Sequence, residues 1–406
     1  MSAYYNRKEK VIIMMKFTID AKILKAMMEK GVAVIDKKAT NPAVTRLYFQ
    51  VDEKGIVKIW GTDFEHWAEV RSDGAYNTQP GILGVDINDI KIISNMKGEI
   101  TLEDVATKDM DDVGKINVKC GKKTVSIPRY ANTDIFLPSM DDTEEKIVST
   151  KENWLLETIT NLATYTSDSN SNELIHVFNF NTKYERIEAL DGYRLGMRTL
   201  KNQIIHKTTE NNFDTVKIHN MCVPVFKKLM NKKSEREVTI CQDKKYIRIE
   251  GNDFTYVTRR IDGEYFKVEQ LLNYDYDFKF VPHRDQILEV MKYDADLNKT
   301  AKSRKPVMLH IENGILYSYI EAVKYEAFDE IEVNESYVEN DTYIGFNARF
   351  LADAFSIVDS DKPVCYGTTA KSPIIIEGDE YSFLVLPCNI DAPYIEKMNN
   401  KIREVA

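Results

Sequence analysis

Six times along this chain a run of alternating apolar and polar residues breaks at turn-forming residues and resumes, and this pattern limits the fold more than any other feature. Leu47, Phe49 and Val51 alternate with Arg46, Tyr48 and Gln50, and Asp52-Glu53-Lys54-Gly55 then turns the chain into Ile56–Trp60. Such alternation puts one face of a hairpin in a core and the other toward water. The figure returns at Asn117–Ile127 around Gly121, at Ile175–Leu190 around Asn181-Thr182-Lys183, and at Tyr246–Arg259 around Gly251-Asn252-Asp253. It returns again at Val307–Ile320, where Asn313-Gly314 is the favoured two-residue turn, and at Ile374–Leu386 around Gly378-Asp379-Glu380.

Between the hairpins apolar residues recur at helical spacing, as in Ile87, Ile90 and Ile93, or Ile287, Leu288 and Met291. Six helices are predicted, over about Ala21–Lys30, Ile87–Met96, Glu152–Tyr165, Val223–Asn231, Arg284–Ala295 and Ala348–Val358. Each third of the chain therefore holds two helices and several hairpins in the same order, a repeat of pattern and not of letters. The expected fold class is α+β: three repeated domains, each with two helices packed on antiparallel sheets. Boundaries fall at 15–140, 146–272 and 275–390, with linkers at Pro138–Val148 and Asn273–Asp277. A polar N-terminal extension occupies 1–14. A charged C-terminal extension, 391–406, has Pro393 near its start and a helix expected after it.

At 43% hydrophobic and 29% charged over 406 residues, the composition is that of a soluble globular chain, and a cytoplasmic location is expected. No apolar run reaches the roughly 18 residues of a membrane span, so no membrane partner is expected. Five widely spaced cysteines, at 120, 222, 241, 365 and 388, contain no Cys-x-x-Cys and fit a reducing compartment. The sequence carries no glycine-rich dinucleotide or phosphate loop and no His-x-x-x-His. His66 beside Asp63 and Glu65 reads more readily as a solvated strand exit than as a metal site. Asp168–Asn172 imitates the start of a calcium loop but has Glu173 and Asn179 where Gly and Glu are required, and reads as a polar loop. No catalytic residues, cofactor or metal are expected; an active site assembled only in three dimensions stays open.

The net charge of −9 argues against a simple nucleic-acid binder, but the basic residues are unevenly spread. Lys227, Lys228, Lys232 and Lys233 cluster without an acid, Lys22, Lys25 and Lys30 lie on the first helix, Lys37-Lys38 follow it, and Lys299, Lys302, Arg304 and Lys305 form a third group. These are candidate phosphate contacts, salt-sensitive and blind to sequence. For any one lysine a solvated helix face is the simpler account.

Four short motifs then align with one family. Gly61-Thr62-Asp63 follows the first hairpin; Asp191-Gly192-Tyr193-Arg194-Leu195 and Ile261-Asp262-Gly263-Glu264-Tyr265 lie about seventy positions apart; Gly345-Phe346-Asn347 precedes the last domain's second helix. With the Met15–Ile19 start and the Leu384–Pro387 finish, the chain from Met15 to Ile390 resembles the bacterial and phage DNA polymerase sliding clamps, the DNA polymerase III β subunit family. The resemblance implies a non-enzymatic processivity factor. Its protomers would dimerise into a ring around double-stranded DNA, loaded by a clamp loader and tethering the replicative polymerase and other clamp-motif proteins. It implies a partner-peptide pocket walled by Leu174, Gly192, Tyr193, Arg194, Leu195, Ser372, Pro373, Leu384, Val385, Leu386, Pro387 and Cys388. It also implies DNA-facing lysines among Lys22, Lys25, Lys37, Lys38, Lys227, Lys228, Lys232, Lys233, Lys299 and Lys302, and a homodimer interface including Val125, Ile127 and Leu297. Leu190 stands where the family has Thr, Phe266 where it has Pro, and the chain runs on past Ile390. Two other readings compete: an α+β enzyme, and a β-rich scaffold that binds proteins without DNA.

Overall fold

A computed structural model describes residues 15–105, 113–131, 136–167, 172–206, 214–272, 276–299, 305–322, 324–339 and 342–405. The extension 1–14, residues 168–171 of the calcium-loop look-alike, part of the second linker, Lys302 and Arg304 lie outside these residues. The described residues of Met1–Leu156, Ile204–Phe213 and Met221–Arg260 form one compact unit, and those of Glu157–Gln203, Asp214–Asn220 and Ile261–Ala406 form another. Each unit contains one continuous antiparallel sheet, of 14 strands in the first and 12 in the second.

All six expected hairpins form in the expected places. At Asn313-Gly314 both residues take positive φ, 53° and 80°, the backbone a type I′ turn requires. Eight helices are present among the described residues: α1 (Ala21–Gly31), α2 (Ile87–Ser94), α3 (Glu152–Leu162), α4 (Cys222–Leu229), α5 (Glu269–Leu272), α6 (Arg284–Lys299), α7 (Ala348–Ile357) and α8 (Ala392–Val405). Capping repeats with the pattern. Asp20 and Asp86 each end a strand and Asn347 follows one, and each accepts from the backbone N–H two residues on, which starts α1, α2 and α7.

Three elements depart from expectation. Helix α6 runs four residues past Ala295, because Asp294 and Asn298, polar in sequence, belong to its buried face and bond to Ser318 Oγ and the Lys305 carbonyl. The final strand is Tyr381–Val385 and stops short of Leu386, where the expected hairpin ends; Pro387 has no N–H to continue a ladder, and Cys388 bridges Gly345. His66 is buried and not a solvated exit: its Nδ1 lies 3.0 Å from Asp63 Oδ2, and its ring stacks on Tyr256.

One connection is made in each unit by the same means. In the first unit, strand Val57–Thr62 turns through Asp63–Glu65 into His66–Ser72, which pairs with Phe254–Arg259, Trp67 opposite Val257. In the second, Arg186–Leu190 turns through Asp191–Tyr193 into Arg194–Thr199, which pairs with Tyr381–Val385, Leu195 opposite Leu384. The turns match in detail. Asp63 N–H donates to the His66 carbonyl and Asp191 N–H to the Arg194 carbonyl, and each aspartate Oδ1 accepts from the N–H groups two and three residues on.

A third copy of the turn, closed by Ala322 N–H to the Tyr325 carbonyl, joins Ile315–Glu321 to Glu326–Val338. Here the stretch Glu326–Glu332 pairs on one side only among the described residues, since Phe278–Pro282 takes up the later part of that strand. Strand Lys123–Ala131 is likewise open along Lys123–Arg129, meeting Gly81–Asp86 only at Tyr130 and Ala131. Pro128 sits in that open stretch, where a missing donor costs no ladder bond.

Helix α8 places Tyr394, Met398 and Ile402 along one face, against Met308, Tyr317 and Tyr319 of the third repeat. Burying such side chains stabilises by about 1.5–3 kcal/mol each. The expected tail helix therefore exists, and it packs on this sheet face and not in the apolar cluster that holds Leu195 and Leu384.

Candidate peptide-binding site and DNA-facing helices

The second unit gathers most of the expected pocket residues around one apolar cluster. Leu195 and Leu384 are 1% and 2% exposed and face each other across the ladder, with Val177, Leu190, Met197, Ile375, Tyr265 and Val268 around them. Strand alternation puts Leu190, Leu195 and Met197 on one sheet face, and the segment 261–272 lies over it, contributing Ile261, Tyr265, Val268 and Leu272. Lys217 Nζ donates to the Gly263 carbonyl and Arg186 pairs with Glu269, which anchors that segment. Beneath it Glu188 is fully buried, held by Asn179 Nδ2 at 2.7 Å and Arg186 Nε at 2.7 Å; burial raises its carboxyl pKa despite these donors.

The turn at the mouth of this cluster is tightly built. Gly192 has φ 91°, a conformation that glycine takes without a Cβ clash. Tyr193, 66% exposed, leans toward Phe350 of α7 with ring centroids 6.5 Å apart, and its carbonyl accepts from Leu386 N–H. Arg194 does not reach out to solvent. Its Nε donates to Asp191 Oδ2 at 3.0 Å, its Nη1 to Asp353 Oδ2 at 2.6 Å and its Nη2 to the Thr164 carbonyl. Its plane lies over Phe350 and Tyr165, at 4.2 Å and 4.9 Å. Arg194 is thus a strut that fixes the mouth, more than a hook for a partner's carboxylate.

Of the remaining wall residues, Leu174 borders Gly263, Val385 is buried opposite Arg194, and Leu386 is 38% exposed beyond the strand end. Pro387 and Cys388 are half-buried, Cys388 donating its N–H to the Gly345 carbonyl. Ser372 bonds to Thr368 and Thr369 one turn before the strand Ile374–Glu377, and Pro373 is buried beside it. Sequence reading names Arg194 but not Asp353 or Phe350, although the Gly345–Leu351 motif begins the helix that carries both. It also misses Tyr265 and Val268 as cover for the cluster.

In the first unit, α1 packs against α2 and α4. Lys22 and Lys25 on α1, Lys37 and Lys38 after it, Lys227 and Lys228 on α4, and Lys232 and Lys233 after that are all exposed. Lys25 approaches Glu29 at 4.0 Å and Lys30 pairs with Asp253 at 2.9 Å. No carboxylate lies within 4 Å of the other seven expected lysines of this unit among the described residues. Lys227 and Lys228 occupy the last turn of α4, where a cation also suits the helix dipole. In the second unit Lys299 is exposed and pairs with Asp296. Val125 and the buried Ile127 lie on the open stretch of Lys123–Arg129, and Leu297 is half-buried on α6. Among the described residues no three His, Cys, Asp or Glu side chains come together as a metal site, and no helix is long and apolar enough to cross a membrane.

A chain of repeated antiparallel modules joined strand to strand, with an apolar cluster at a module joint, has the fold of the DNA sliding clamps. Comparison with known structures bears this out. A DNA polymerase sliding clamp from Bacillus subtilis superposes with a TM-score of 0.81 at 16% identity, over 93% of this chain and all of that one. A sliding clamp from Pseudomonas aeruginosa solved with a ligand gives 0.78 at 19%, over 93% and 100%, and another from that organism, bound to griselimycin, gives 0.76 at 19%. No protein-family model matches the chain. Among curated sequences, the beta sliding clamp of Pseudomonas aeruginosa is 22% identical over 388 residues, 93% of this chain and 100% of that protein. That of Pseudomonas putida is 20% identical over 384 residues, with the same coverage. Curated homologues named beta sliding clamp thus cover 93% of this chain, and its fold is that of the DNA polymerase III beta subunits.

Proposed function

We propose that this chain is a DNA polymerase processivity clamp: a homodimeric ring that encircles duplex DNA and tethers the replicative polymerase and other partners by peptides seated at the Leu195–Leu384 cluster. It performs no chemistry of its own. Three modules, 15–140, 146–272 and 275–390, make up each protomer. One observation carries the reading. The joint between a turn-bearing strand and the last strand of the following module is made twice within the chain, and the two edges a third such joint would use, Glu326–Glu332 and Lys123–Arg129, are both open among the described residues. A second copy supplies what each of these two edges lacks, and two such joints close a ring.

The two internal joints set the register of the third. Gly84 pairs Tyr130 as Gly345 bridges Cys388, so Val125 corresponds to Phe383, which pairs with Gly196. Ala327 takes the place of Gly196 two residues after the turn and falls opposite the partner's Val125. Asp329 then falls opposite the partner's Lys123, a favourable cross-strand charge pair. The α1 and α4 lysines supply a sequence-blind surface for phosphates within an acidic protein. Retention by a closed ring needs no tight binding.

The test is a Val125→Cys, Ala327→Cys double variant. Oxidation yields a covalent dimer, and the cross-linked species stays on nicked circular DNA through a high-salt wash and leaves when the circle is cut. Cross-linked protein that salt strips from intact circles defeats the ring, and a chain that sediments as a monomer at every concentration defeats the dimer.

A further inference from the structure

After the last strand of the middle repeat, residues 261–272 turn back over a face of the sheet in their own unit and are pinned by Lys217 and Arg186. After the last strand of the third repeat, α8 does the same. It lies over Met308, Tyr317 and Tyr319, with Phe328 and Tyr343 at the margin of the cluster. Its anchors are polar and specific. Tyr394 Oη donates to the Pro306 carbonyl at 2.9 Å and accepts from Glu321 N–H at 3.0 Å, and Tyr343 Oη donates to Asn399 Oδ1 at 2.6 Å. Lys397 Nζ pairs with Glu321 at 2.7 Å and Lys401 Nζ with Glu326 at 2.9 Å.

The two glutamates are the last residue of one strand and the first of the next, on either side of the Ala322–Tyr325 turn. Glu326 also opens the stretch Glu326–Glu332, which has no second partner strand among the described residues. Phe328, two residues on and on the same face, packs against the cluster beneath α8. The helix therefore grips the open edge at its first and third residues. That edge is acidic, with Glu326, Asp329, Glu330 and Glu332 in seven residues. Lys397 and Lys401 bring positive charge to the end of the hairpin where Glu321 and Glu326 face each other.

We propose that α8 is a clasp for self-association: it holds the outward side of Glu326–Glu332 in the shape of a ready strand edge, to which a second copy of the chain adds its Lys123–Arg129 strand. The inference rests on the homodimer reading above. An edge held in its bound shape loses less freedom on pairing, so the clasp acts on affinity without touching the incoming strand.

A Lys397→Glu, Lys401→Glu double variant keeps the buried face of α8 and reverses its two anchoring charges. Sedimentation velocity across a dilution series, with the thermal midpoint read in parallel, is the measurement. The expected result is a dimer dissociation constant raised roughly tenfold and a midpoint lowered no further than the weaker dimer itself requires. Adding Glu321→Lys and Glu326→Lys restores the parent constant. A chain ending at Ile390 weakens the dimer further; if it fails to fold, the charge variants still decide. Variants that dimerise as tightly as a dimeric parent overturn the clasp alone. A parent that is monomeric throughout overturns the dimer reading, and the clasp with it.

Discussion

The guanidinium of Arg194 donates to Asp353 at 2.6 Å across 159 residues of chain, and this pair fixes the mouth of the Leu195–Leu384 cluster. The arginine is 9% exposed and its partners Asp191 and Asp353 are largely sheltered, so among the described residues removing it leaves Asp191 only its turn N–H donors and Asp353 only Arg349 at 3.9 Å. Arg194→Ala is expected to cost about 3 kcal/mol in the unfolding of the second unit, as for breaking a buried pair. Arg194→Lys does not rescue, because an ammonium cannot bond Asp191, Asp353 and the Thr164 carbonyl at once while stacking on Phe350. Urea midpoints of the two variants check this; a lysine variant as stable as the parent refutes the strut.

The two leucines that straddle the end of the last strand separate stability from binding. Leu384 is a core residue, and Leu384→Ala or Leu195→Ala is expected to cost about 2–5 kcal/mol through the cavity left behind. Leu386 is more than a third exposed, and Leu386→Ala should leave the melting temperature near that of the parent. Both Leu386→Ala alone and the Leu195→Ala, Leu386→Ala pair are expected to abolish binding of a clamp-motif peptide in a fluorescence titration, and the pair to leave the dimer intact. Peptide affinity equal to the parent's in the double variant would place the pocket elsewhere.

The lysines of α4 carry a separate expectation. Lys227→Glu with Lys228→Glu alters two exposed side chains that have no carboxylate partner among the described residues, so folding is little affected. Retention of the loaded protein on nicked circles should fall at low salt, and should depend less on salt than the parent's, because fewer phosphate contacts release fewer counterions. Equal retention at all salt concentrations would mean that α4 faces away from DNA.

What is legible in the sequence is what is local. Hairpins announce themselves through turn residues and alternation, as at Asn313-Gly314, and helices through apolar spacing and caps, as at Asp86 before Ile87; both signals lie within a dozen residues. What is illegible depends on distant partners. The expected helix stops at Ala295, and Asp294 and Asn298 are polar, yet both belong to the buried face of a longer α6 because Ser318 and Lys305 satisfy them from outside it. Asp353 carries no mark of its bond to Arg194. The final hairpin reads one residue too long because Leu386 is apolar, although Pro387 already signals the stop. The pocket motif is visible at Asp191–Leu195, but its cover at Tyr265 and Val268 depends on how the chain returns after the middle repeat.

Asp294 gives the stability a pH dependence whose sign can be worked out. The side chain has no exposed surface, accepts one hydrogen bond from Ser318 Oγ at 3.1 Å and leaves its Oδ1 without a partner. Ser318 pairs directly with Asp329, so a second carboxylate lies close by. Burial first, and then the charge of Asp329, push the Asp294 carboxyl up from 3.8 to about 7, and burial raises Asp329 as well. The folded state thus holds a proton that the unfolded chain releases near pH 4. The stability that this proton confers is whole below about pH 4 and is lost as pH rises through 7. A carboxyl that titrates at about 7 when folded and at 3.8 when unfolded sets a ceiling of about 4 kcal/mol on the effect. Asp294→Asn removes the titration while keeping the shape and a polar partner for Ser318. The variant is expected to be the more stable protein at pH 8, with the difference shrinking or reversing toward pH 4. Urea unfolding of both proteins at half-unit steps from pH 4 to pH 8 tests this, and parallel profiles would show that Asp294 is charged in the core across the range.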